Sequence, residues 1–209
     1  MRKLTLSLLG ASLLSATSMF SATISLSNTN VGAFDVYTPI INSSGALIPY
    51  GNTAASGTVE VGYFTAADSV VGAGTFTSFQ SFGTAGTVDG AGYDFGGLYT
   101  FNTSETIATG SPFIGQSIYT FITVGSEYLV VKSGTTFGED APSFATDIDI
   151  AAGGSVIFGS FVDDAVDSSQ YGGTGFVDAY RLAAVPEPSA YALLGGLLAL
   201  GCVMLRRRA

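Results

Sequence analysis

The chemistry open to this chain is that of carboxylates. Histidine and tryptophan are absent, and the one cysteine, Cys202, lies in an apolar segment near the end of the sequence. These absences exclude a Ser-His-Asp triad, a Cys-His pair and an ordinary zinc site. Two kinds of chemistry remain: paired carboxylates, as in glycoside hydrolysis, and oxygen ligands around a hard cation.

Three short acidic clusters are candidates: Glu139-Asp140, Asp147-Ile148-Asp149, and Asp163-Asp164 with Asp167. The third lies in a loop-like stretch after a predicted strand, and a loop of carboxylates can wrap calcium. None matches an EF-hand or a glycine-aspartate repeat, so solvated turn residues are the simpler interpretation. A glycosidase needs two carboxylates converging about 5 to 9 Å apart in a groove, and sequence alone does not place them. We predict no catalytic residue, no cofactor and no bound metal; Asp163, Asp164 and Asp167 would be the candidate ligands of a metal ion.

The middle of the chain is strongly acidic. Residues 23–185 contain two basic residues, Lys132 and Arg181, and fifteen acidic ones, which gives a net charge of −13. Nucleic acid and anionic lipid are excluded as partners because binding them requires clustered Lys and Arg. Cations and neutral sugars are acceptable partners, although dispersed carboxylates that keep a glycine-rich protein soluble are the simpler explanation of the charge.

The same segment has the pattern of β-strands. Glycine and hydroxyl residues separate short β-branched and aromatic runs at intervals of about eight to twelve residues, which is typical of a sandwich or barrel. We predict an all-β fold, a single antiparallel β-sandwich or jelly-roll-like domain over residues 23–183. Its strands are predicted near Ala33–Ile41, Thr58–Phe64, Gly97–Asn102, Gln116–Val124, Glu127–Lys132, Ser155–Ser160 and Gly175–Leu182.

Periodicity adds detail to three of these segments. In Thr58–Phe64 the alternation turns Val59, Val61 and Tyr63 toward the core and Glu60 toward solvent. Gln116–Val124 is apolar on both faces, which predicts a covered central strand joined to Glu127–Lys132 by a tight turn. The rings of Phe76, Phe79 and Phe82 recur every three residues, which favours one or two helical turns laying a phenylalanine stripe on the sheet. An aromatic binding patch is the alternative interpretation of that stripe.

Both ends of the chain resemble export signals. Residues 1–22 have a positive start, Arg2-Lys3, and an apolar stretch, Leu4–Leu14, as in a secretory signal peptide. Cleavage is predicted between residues 18 and 22, with Ala22 as the best single position. An uncleaved N-terminal membrane helix is the alternative, and both interpretations place the middle of the chain outside the cytoplasm.

The last residues combine a rigid spacer, an apolar helix and a basic stop. Two prolines keep Val185–Pro188 extended and hold Glu187 in solvent. The sixteen residues Ala190–Leu205 carry no charge, and as a helix they rise about 24 Å, close to the thickness of a hydrocarbon core. Arg206, Arg207 and Arg208 then form a stop on the cytoplasmic side, which a buried helix of a soluble domain would leave unexplained.

Pro186-Glu187-Pro188, the apolar helix and the arginines together resemble the PEP-CTERM sorting signal of bacterial exported proteins, over residues 184–209. The resemblance implies that Pro186, Glu187 and Pro188 are recognised by an exosortase, a membrane transpeptidase that processes the protein and directs it toward the surface and its exopolysaccharide. Two further segments, Val59–Phe64 and Phe113–Tyr119, are similar to blocks that recur in PEP-CTERM cargo proteins without an assigned activity.

We therefore expect a non-enzymatic surface or matrix protein. It would be exported by the secretion machinery and signal peptidase, anchored in the cytoplasmic membrane with its C-terminus inside, and then processed. A carbohydrate- or calcium-binding module is the alternative, and a carboxylate-based glycosidase is a further one. A protein that keeps its membrane anchor would differ only in the fate of the tail.

Overall fold

The computed structural model describes residues 19–28, 37–51, 56–88, 95–108, 110–138, 143–149, 154–171 and 173–185. Within these ranges the chain is mostly β-strand, with a short α-helix, α1 (Asp68–Gly72), and a 3-10 helix at Ser168–Tyr171. The strands are β1 (Met19–Ser27), β2 (Ile40–Ile41), β3 (Thr58–Phe64), β4 (Phe79–Thr87), β5 (Thr100–Ala108), β6 (Ser117–Val124), β7 (Glu127–Thr136), β8 (Ser143–Asp149), β9 (Ser155–Phe158), β10 (Ser160–Asp167), β11 (Phe176–Arg181) and β12 (Ala183–Ala184). The all-β prediction is confirmed, whereas the apolar stretch Leu4–Leu14 and the predicted membrane helix at 190–205 fall outside the described residues.

The described strands form three sheets. The largest has the order β12–β7–β6–β3–β4, and β9 also pairs with β7. The other two have the orders β5–β1–β8 and β10–β11–β2. Most neighbours are antiparallel, as predicted, but β8 runs parallel to β1 and β2 runs parallel to β11. Because parallel neighbours need crossover connections and not hairpins, these pairs join segments that are distant in the sequence.

Strand β6 is the centre of the largest sheet. It pairs with β3 on one side and with β7 on the other, and five consecutive residues from Ile118 to Ile122 are buried. Residues that point to both faces of a strand are buried together only where each face is covered. The predicted covered central strand is therefore confirmed, as is the hairpin to β7, whose turn contains Gly125 with a φ of 59°.

The two faces of the largest sheet differ in composition. On one face Val59, Val61 and Tyr63 are buried, as the alternation of β3 predicts. The opposite face carries a layer of contacting rings from Phe64, Phe76, Phe79, Tyr119, Phe121, Tyr128 and Phe158. Glu60 lies on this second face and is half-buried, so the prediction that it faces open solvent is only partly right.

The predicted helical turns at Phe76, Phe79 and Phe82 are wrong. Strand β4 begins at Phe79, and Phe79 pairs with Phe64 while Phe82 pairs with Val61. Phe64 and Val61 are three residues apart on β3, and residues at an odd spacing in a strand point to opposite faces. Their partners Phe79 and Phe82 therefore also lie on opposite faces of the sheet. Phe76 precedes the strand and joins Phe79 in the aromatic layer by packing on Phe121. Pairing with β3 thus overrides the spacing of three, which was the only helical signal.

The sheet β5–β1–β8 contributes to the same hydrophobic cluster as the largest sheet. Ala22, Ile24 and Leu26 alternate along β1, are fully buried or nearly so, and belong to one cluster with Val61 and Ile122. Strand β1 begins at Met19, inside the segment predicted as a signal peptide. A second, smaller cluster forms under the sheet β10–β11–β2, from Ile41, Leu98, Val166, Tyr171 and Ala179.

A buried asparagine ties the end of β1 to two other segments. The side chain of Asn28 donates to the carbonyls of Thr38 and Gly97, at 3.0 and 2.8 Å, and accepts from the backbone N–H of Tyr99 at 2.8 Å. Its solvent exposure is 0%. Thr38, Gly97 and Tyr99 lie outside the strands. The side-chain amide of Asn28 therefore supplies hydrogen bonds to backbone groups that lie outside the strand pairing.

Candidate functional site

The sorting residues predicted from the sequence, Pro186, Glu187, Pro188 and Arg206–Arg208, lie outside the described residues, as does the predicted membrane helix at 190–205. In the part of the chain that is described, no helix combines the length and apolar character needed to cross a bilayer. The structure does describe the residues that lead into the predicted sorting motif, namely β12 and Val185.

These lead-in residues are packed against the domain. Ala183 pairs with Tyr128 and Ala184 pairs with Glu127, which makes β12 an edge of the largest sheet. Val185 approaches Gly74 so closely that a β-carbon added there would lie 3.1 Å from its Cγ1 atom. The chain is therefore packed against the domain through residue 185. Pro186 is the next residue after a packed side chain.

The candidate metal ligands Asp163, Asp164 and Asp167 lie on strand β10, not in a loop as predicted. The pairing of β10 with β11 is interrupted between Val162 and Val166, so two of these carboxylates lie in a β-bulge. Asp164 has a φ of 48°, and its N–H donates to Oδ1 of Asp178 at 3.0 Å. A residue in this left-handed conformation is usual at a bulge, and Asp tolerates it better than most side chains.

The bulge does not assemble a metal centre. Among the described residues, no three His, Cys, Asp or Glu side chains are close enough together to hold a metal ion. Asp167 is engaged locally, because its Oδ1 accepts the N–H of Ser169 at 2.9 Å. This hydrogen bond lowers the pKa of the Asp167 carboxyl, which is therefore ionised at neutral pH.

The two other acidic clusters form no metal site among the described residues. Asp147 and Asp149 lie on β8, where they align with Ser25 and Ser27 of the parallel strand β1. Glu139 and Asp140 lie outside the described residues.

Two exposed aromatic side chains lie beside the acidic bulge, and sequence reasoning did not single them out. Phe176 is 63% exposed and Phe161 is 46% exposed. Phe176 pairs with Asp167, and Phe161 pairs with Tyr180, against which its ring packs edge-on at 5.3 Å. Phenylalanine in a strand predicts burial, so no sequence signal marks these two as surface residues.

A polar cluster joins helix α1 to the aromatic face of the largest sheet. The hydroxyl of Tyr119 donates to Oδ1 of Asp68 at 2.5 Å, and Nζ of Lys132 donates to Oδ2 at 2.9 Å. Nζ of Lys132 also lies 5.4 Å from the centre of the Tyr119 ring. The cluster contains groups that could transfer protons, but each is hydrogen-bonded to another member. Its evident effect is to hold the first residue of α1 over the sheet.

The pKa values in this cluster follow its hydrogen bonds. The bond from Tyr119, followed by that from Lys132, lowers the pKa of Asp68. Burial, followed by the bond to ionised Asp68, raises the pKa of Tyr119, and the bond to Asp68 raises the pKa of Lys132. At neutral pH the cluster therefore holds a carboxylate, a neutral phenol and an ammonium group.

Comparisons with protein-family models, with curated proteins and with solved structures found no match to this chain.

Proposed function

We propose that this chain is an exported, non-enzymatic surface or matrix protein that carries a PEP-CTERM sorting signal at residues 184–209. Its signal peptide directs secretion, and the helix at residues 190–205 then holds the protein in the cytoplasmic membrane. An exosortase-like transpeptidase recognises Pro186, Glu187 and Pro188 there. Processing delivers the domain to the cell surface, beside exopolysaccharide.

The observation that carries this proposal is the adjacency of the last strand to the sorting motif. Strand β12 ends at Ala184, Val185 packs beside Gly74, and Pro186 follows at once. The apolar run and the arginine triplet complete the pattern of a stop-transfer signal behind a folded cargo. The acidic composition of residues 23–185 agrees with a soluble domain on the outer side of the membrane.

We also propose that the cargo is a β-sandwich. Support comes from the shared cluster, in which Ile24 and Leu26 of the sheet β5–β1–β8 join Val61 and Ile122 of the largest sheet. Contacts between β4 and β5 also link these sheets: the N–H of Gly83 donates to Glu105 and that of Thr84 to Thr103, both at 2.9 Å. Two sheets that bury facing apolar side chains are the defining layers of a sandwich.

The test is the fate of the C-terminus in a bacterium that encodes an exosortase. The mass of the exported protein should correspond to a C-terminus at or near residues 185–189, and the membrane fraction should contain only the longer precursor. In a strain without the transpeptidase, the precursor should accumulate in the membrane.

Two variants separate recognition from anchoring. Replacing Pro186 and Pro188 by Ala should block processing but keep the protein in the membrane, whereas deleting residues 190–209 should release it to the medium. An exported protein that retains Arg206–Arg208 in the presence of the transpeptidase would refute processing. Equal fractionation of the full-length and tail-deleted proteins would refute the anchor as well.

A carbohydrate-binding module is the second candidate, and one observation favours it. Phe161 and Phe176 expose their rings on strands that also carry Asp167 and Asp178. Aromatic faces beside hydrogen-bonding groups are suited to a ligand with both apolar and polar surfaces. This candidate is compatible with surface display, since sorting and binding would use different parts of the chain.

A further inference from the structure

The exposed rings of Phe161 and Phe176 belong to one face of the sheet β10–β11–β2. Phe176, Asp178 and Tyr180 alternate along β11 and therefore share a face. Phe161 and Asp167 lie on the same face, because they are the antiparallel partners of Tyr180 and Phe176. We name the five residues Phe161, Asp167, Phe176, Asp178 and Tyr180 the β10–β11 strip.

One end of the strip is covered and the other is open. Tyr180 is 2% exposed and belongs to the main hydrophobic cluster, and Phe161 packs on its edge. Phe176 precedes Tyr180 by four residues on β11, a distance of about 13 Å at the usual rise of a strand. Most of the Phe176 side chain is exposed. Asp178 lies halfway between. The strip therefore alternates ring, carboxylate and ring over a length greater than one sugar ring.

The charges of the strip decide what can cover it. Asp167 and Asp178 lie on it, and Asp163 and Asp164 lie beside it at the bulge, where they are exposed to solvent. Of the two basic residues in segment 23–185, Arg181 points to the opposite face of β11, and Lys132 is paired with Asp68 on another sheet. A polyanion would meet only repulsion here. A second copy of the chain would place its own carboxylates against these, which is equally unfavourable.

We propose that the β10–β11 strip binds a polysaccharide of amino sugars whose nitrogens are free and protonated. The inference rests on the proposed function, which places the domain beside polysaccharide, and it adds the chemistry of that polymer. The apolar C–H face of each sugar packs on Phe161 or Phe176. Its ammonium group lies near the ring face and pairs with Asp167 or Asp178. One ligand therefore contacts both the aromatic rings and the carboxylates of the strip.

The test uses the full-length chain in a non-ionic detergent and a matched pair of probes. One probe is a chito-oligosaccharide with free amines, and the other is the same oligomer with every nitrogen acetylated, which keeps the rings and removes the charge. Titration calorimetry at mildly acidic pH and physiological salt should detect the amine form and find the acetylated form much weaker. Equal binding of both probes, or binding of neither, would overturn the proposal.

Protein variants locate the binding on the strip. Phe176→Ala and Phe161→Ala should each weaken binding by about two- to fivefold, the size of an exposed cation–π contact. Tyr50→Ala removes an equally exposed ring (53%) outside the strip and should have no effect. Phe176→Tyr keeps a ring and should restore binding. If Phe176→Ala and Tyr50→Ala bind the amine probe alike, the strip is not the site.

Charge variants separate the strip from the general acidity of the domain. Asp178→Asn keeps an oxygen that can accept the N–H of Asp164, so the bulge is preserved while one charge is lost. It should weaken binding more than Glu105→Gln, which removes one charge elsewhere and keeps an acceptor for Gly83. Equal effects would show nonspecific attraction and reject the site.

Two further probes decide between occupants. If a lysine oligomer binds as tightly as the amine sugar and loses affinity equally in Phe176→Ala, a basic peptide is the better ligand. That result would overturn the proposal. An alginate oligomer should show no binding that depends on Phe176 or Asp178. Because these titrations do not depend on processing of the tail, a failure of sorting and a failure of binding give different results.

Discussion

Nζ of Lys132 lies 2.9 Å from Oδ2 of Asp68, so one of the two basic residues in segment 23–185 is engaged in holding helix α1 over the sheet. The hydroxyl of Tyr119 bonds to the other oxygen of the same carboxylate. The ion pair is partly exposed and is therefore weakened by solvent. The Tyr119 bond is the better shielded of the two, since Tyr119 is 5% exposed.

Tyr119→Phe should lower the free energy of unfolding by about 1 kcal/mol, the usual contribution of a hydrogen bond. The ring stays in place, so the aromatic layer against Phe64 is preserved. Urea denaturation of both proteins measures the difference. Tyr128→Phe is the control, since it removes a hydroxyl from the same layer and should change stability less. Equal losses in the two variants would contradict the role of the Asp68 bond.

The contribution of Asp68 should disappear in acid. Its pKa is lowered in the folded state, so its stabilisation is present above the ordinary carboxyl pKa of about 4 and is lost as pH falls through the folded value. The stability difference between the wild type and Asp68→Asn should therefore shrink below about pH 4. Denaturation curves at neutral and acidic pH test this. A difference that is constant over the range would show that the charge of Asp68 contributes nothing.

Lys132 should show the opposite dependence on pH. Its pKa is raised by the bond to Asp68, so its contribution is complete below the ordinary lysine value of about 10.4 and is lost as pH rises through the folded value. Lys132→Met should cost stability at neutral pH and cost less in strong base. Denaturation curves of this variant and the wild type measure the change, and a constant difference would contradict the ion pair.

Asn28→Ala should destabilise the domain by about 3 kcal/mol, because it removes three buried hydrogen bonds, one accepted from the N–H of Tyr99 and two donated to carbonyls. For a chain of this size the loss corresponds to a fall of about 6 to 12 °C in Tm. Asn42→Ala is a matched control, since Asn42 also takes part in three hydrogen bonds, all accepted from Ser44 and Ala46, but in an exposed turn where water replaces them. Similar melting points for the two variants would contradict the prediction.

Gly62→Ala should destabilise the largest sheet by about 2 kcal/mol or more through overpacking. A β-carbon at this position would collide with the carbonyl oxygen of Gln80 and lie 2.8 Å from Cζ of Phe79. Gly134→Ala is the control, because a β-carbon there would meet no atom within 4 Å. Thermal melting of both proteins measures the difference in stability. A Gly62→Ala protein as stable as the control would show that Gln80 and Phe79 can move to accommodate the methyl group.

The mature N-terminus should be Met19. Cleavage after Ser18 places small residues, Ala16 and Ser18, at the two selective positions and leaves β1 whole. Cleavage after Ala22 would remove four of the nine residues of β1, including Ala22 itself, which is fully buried and aligned with Glu105 and Phe144. Mass spectrometry of the exported protein distinguishes the two, and a chain beginning at Thr23 would contradict this prediction.

The local sequence pattern was sufficient to predict the bounds of strands that lie between two others in the largest sheet. Thr58–Phe64 was predicted with the bounds that the structure gives, and the hairpin from Ser117 to Thr136 was predicted apart from its final residues. In these segments strong β-propensity, alternation and turn residues all favour the same pairing.

The pattern failed where the composition of a strand is unlike that of a typical strand. Strands β4 and β8 are missing from the predicted set, because glycine and serine weaken the strand signal of β4, and serine and aspartate weaken that of β8. The aspartates of β10 predict a loop after Phe161, yet pairing with β11 continues to Asp167 through a bulge. In Ala33–Ile41, the described part contains only the two-residue strand Ile40–Ile41.

The sequence by itself determined the acidic, histidine-free composition, the all-β class and the likeness of both ends to export signals. These properties depend on residue types and on short periodicities, which are local. Only the tertiary structure decided that Phe161 and Phe176 are exposed beside Asp178, that Lys132 is paired with Asp68, and that Val185 packs on the domain. The first depends on how much of each ring the fold leaves uncovered. The other two join segments far apart in the chain, whose approach is set by burial and strand pairing over the whole fold.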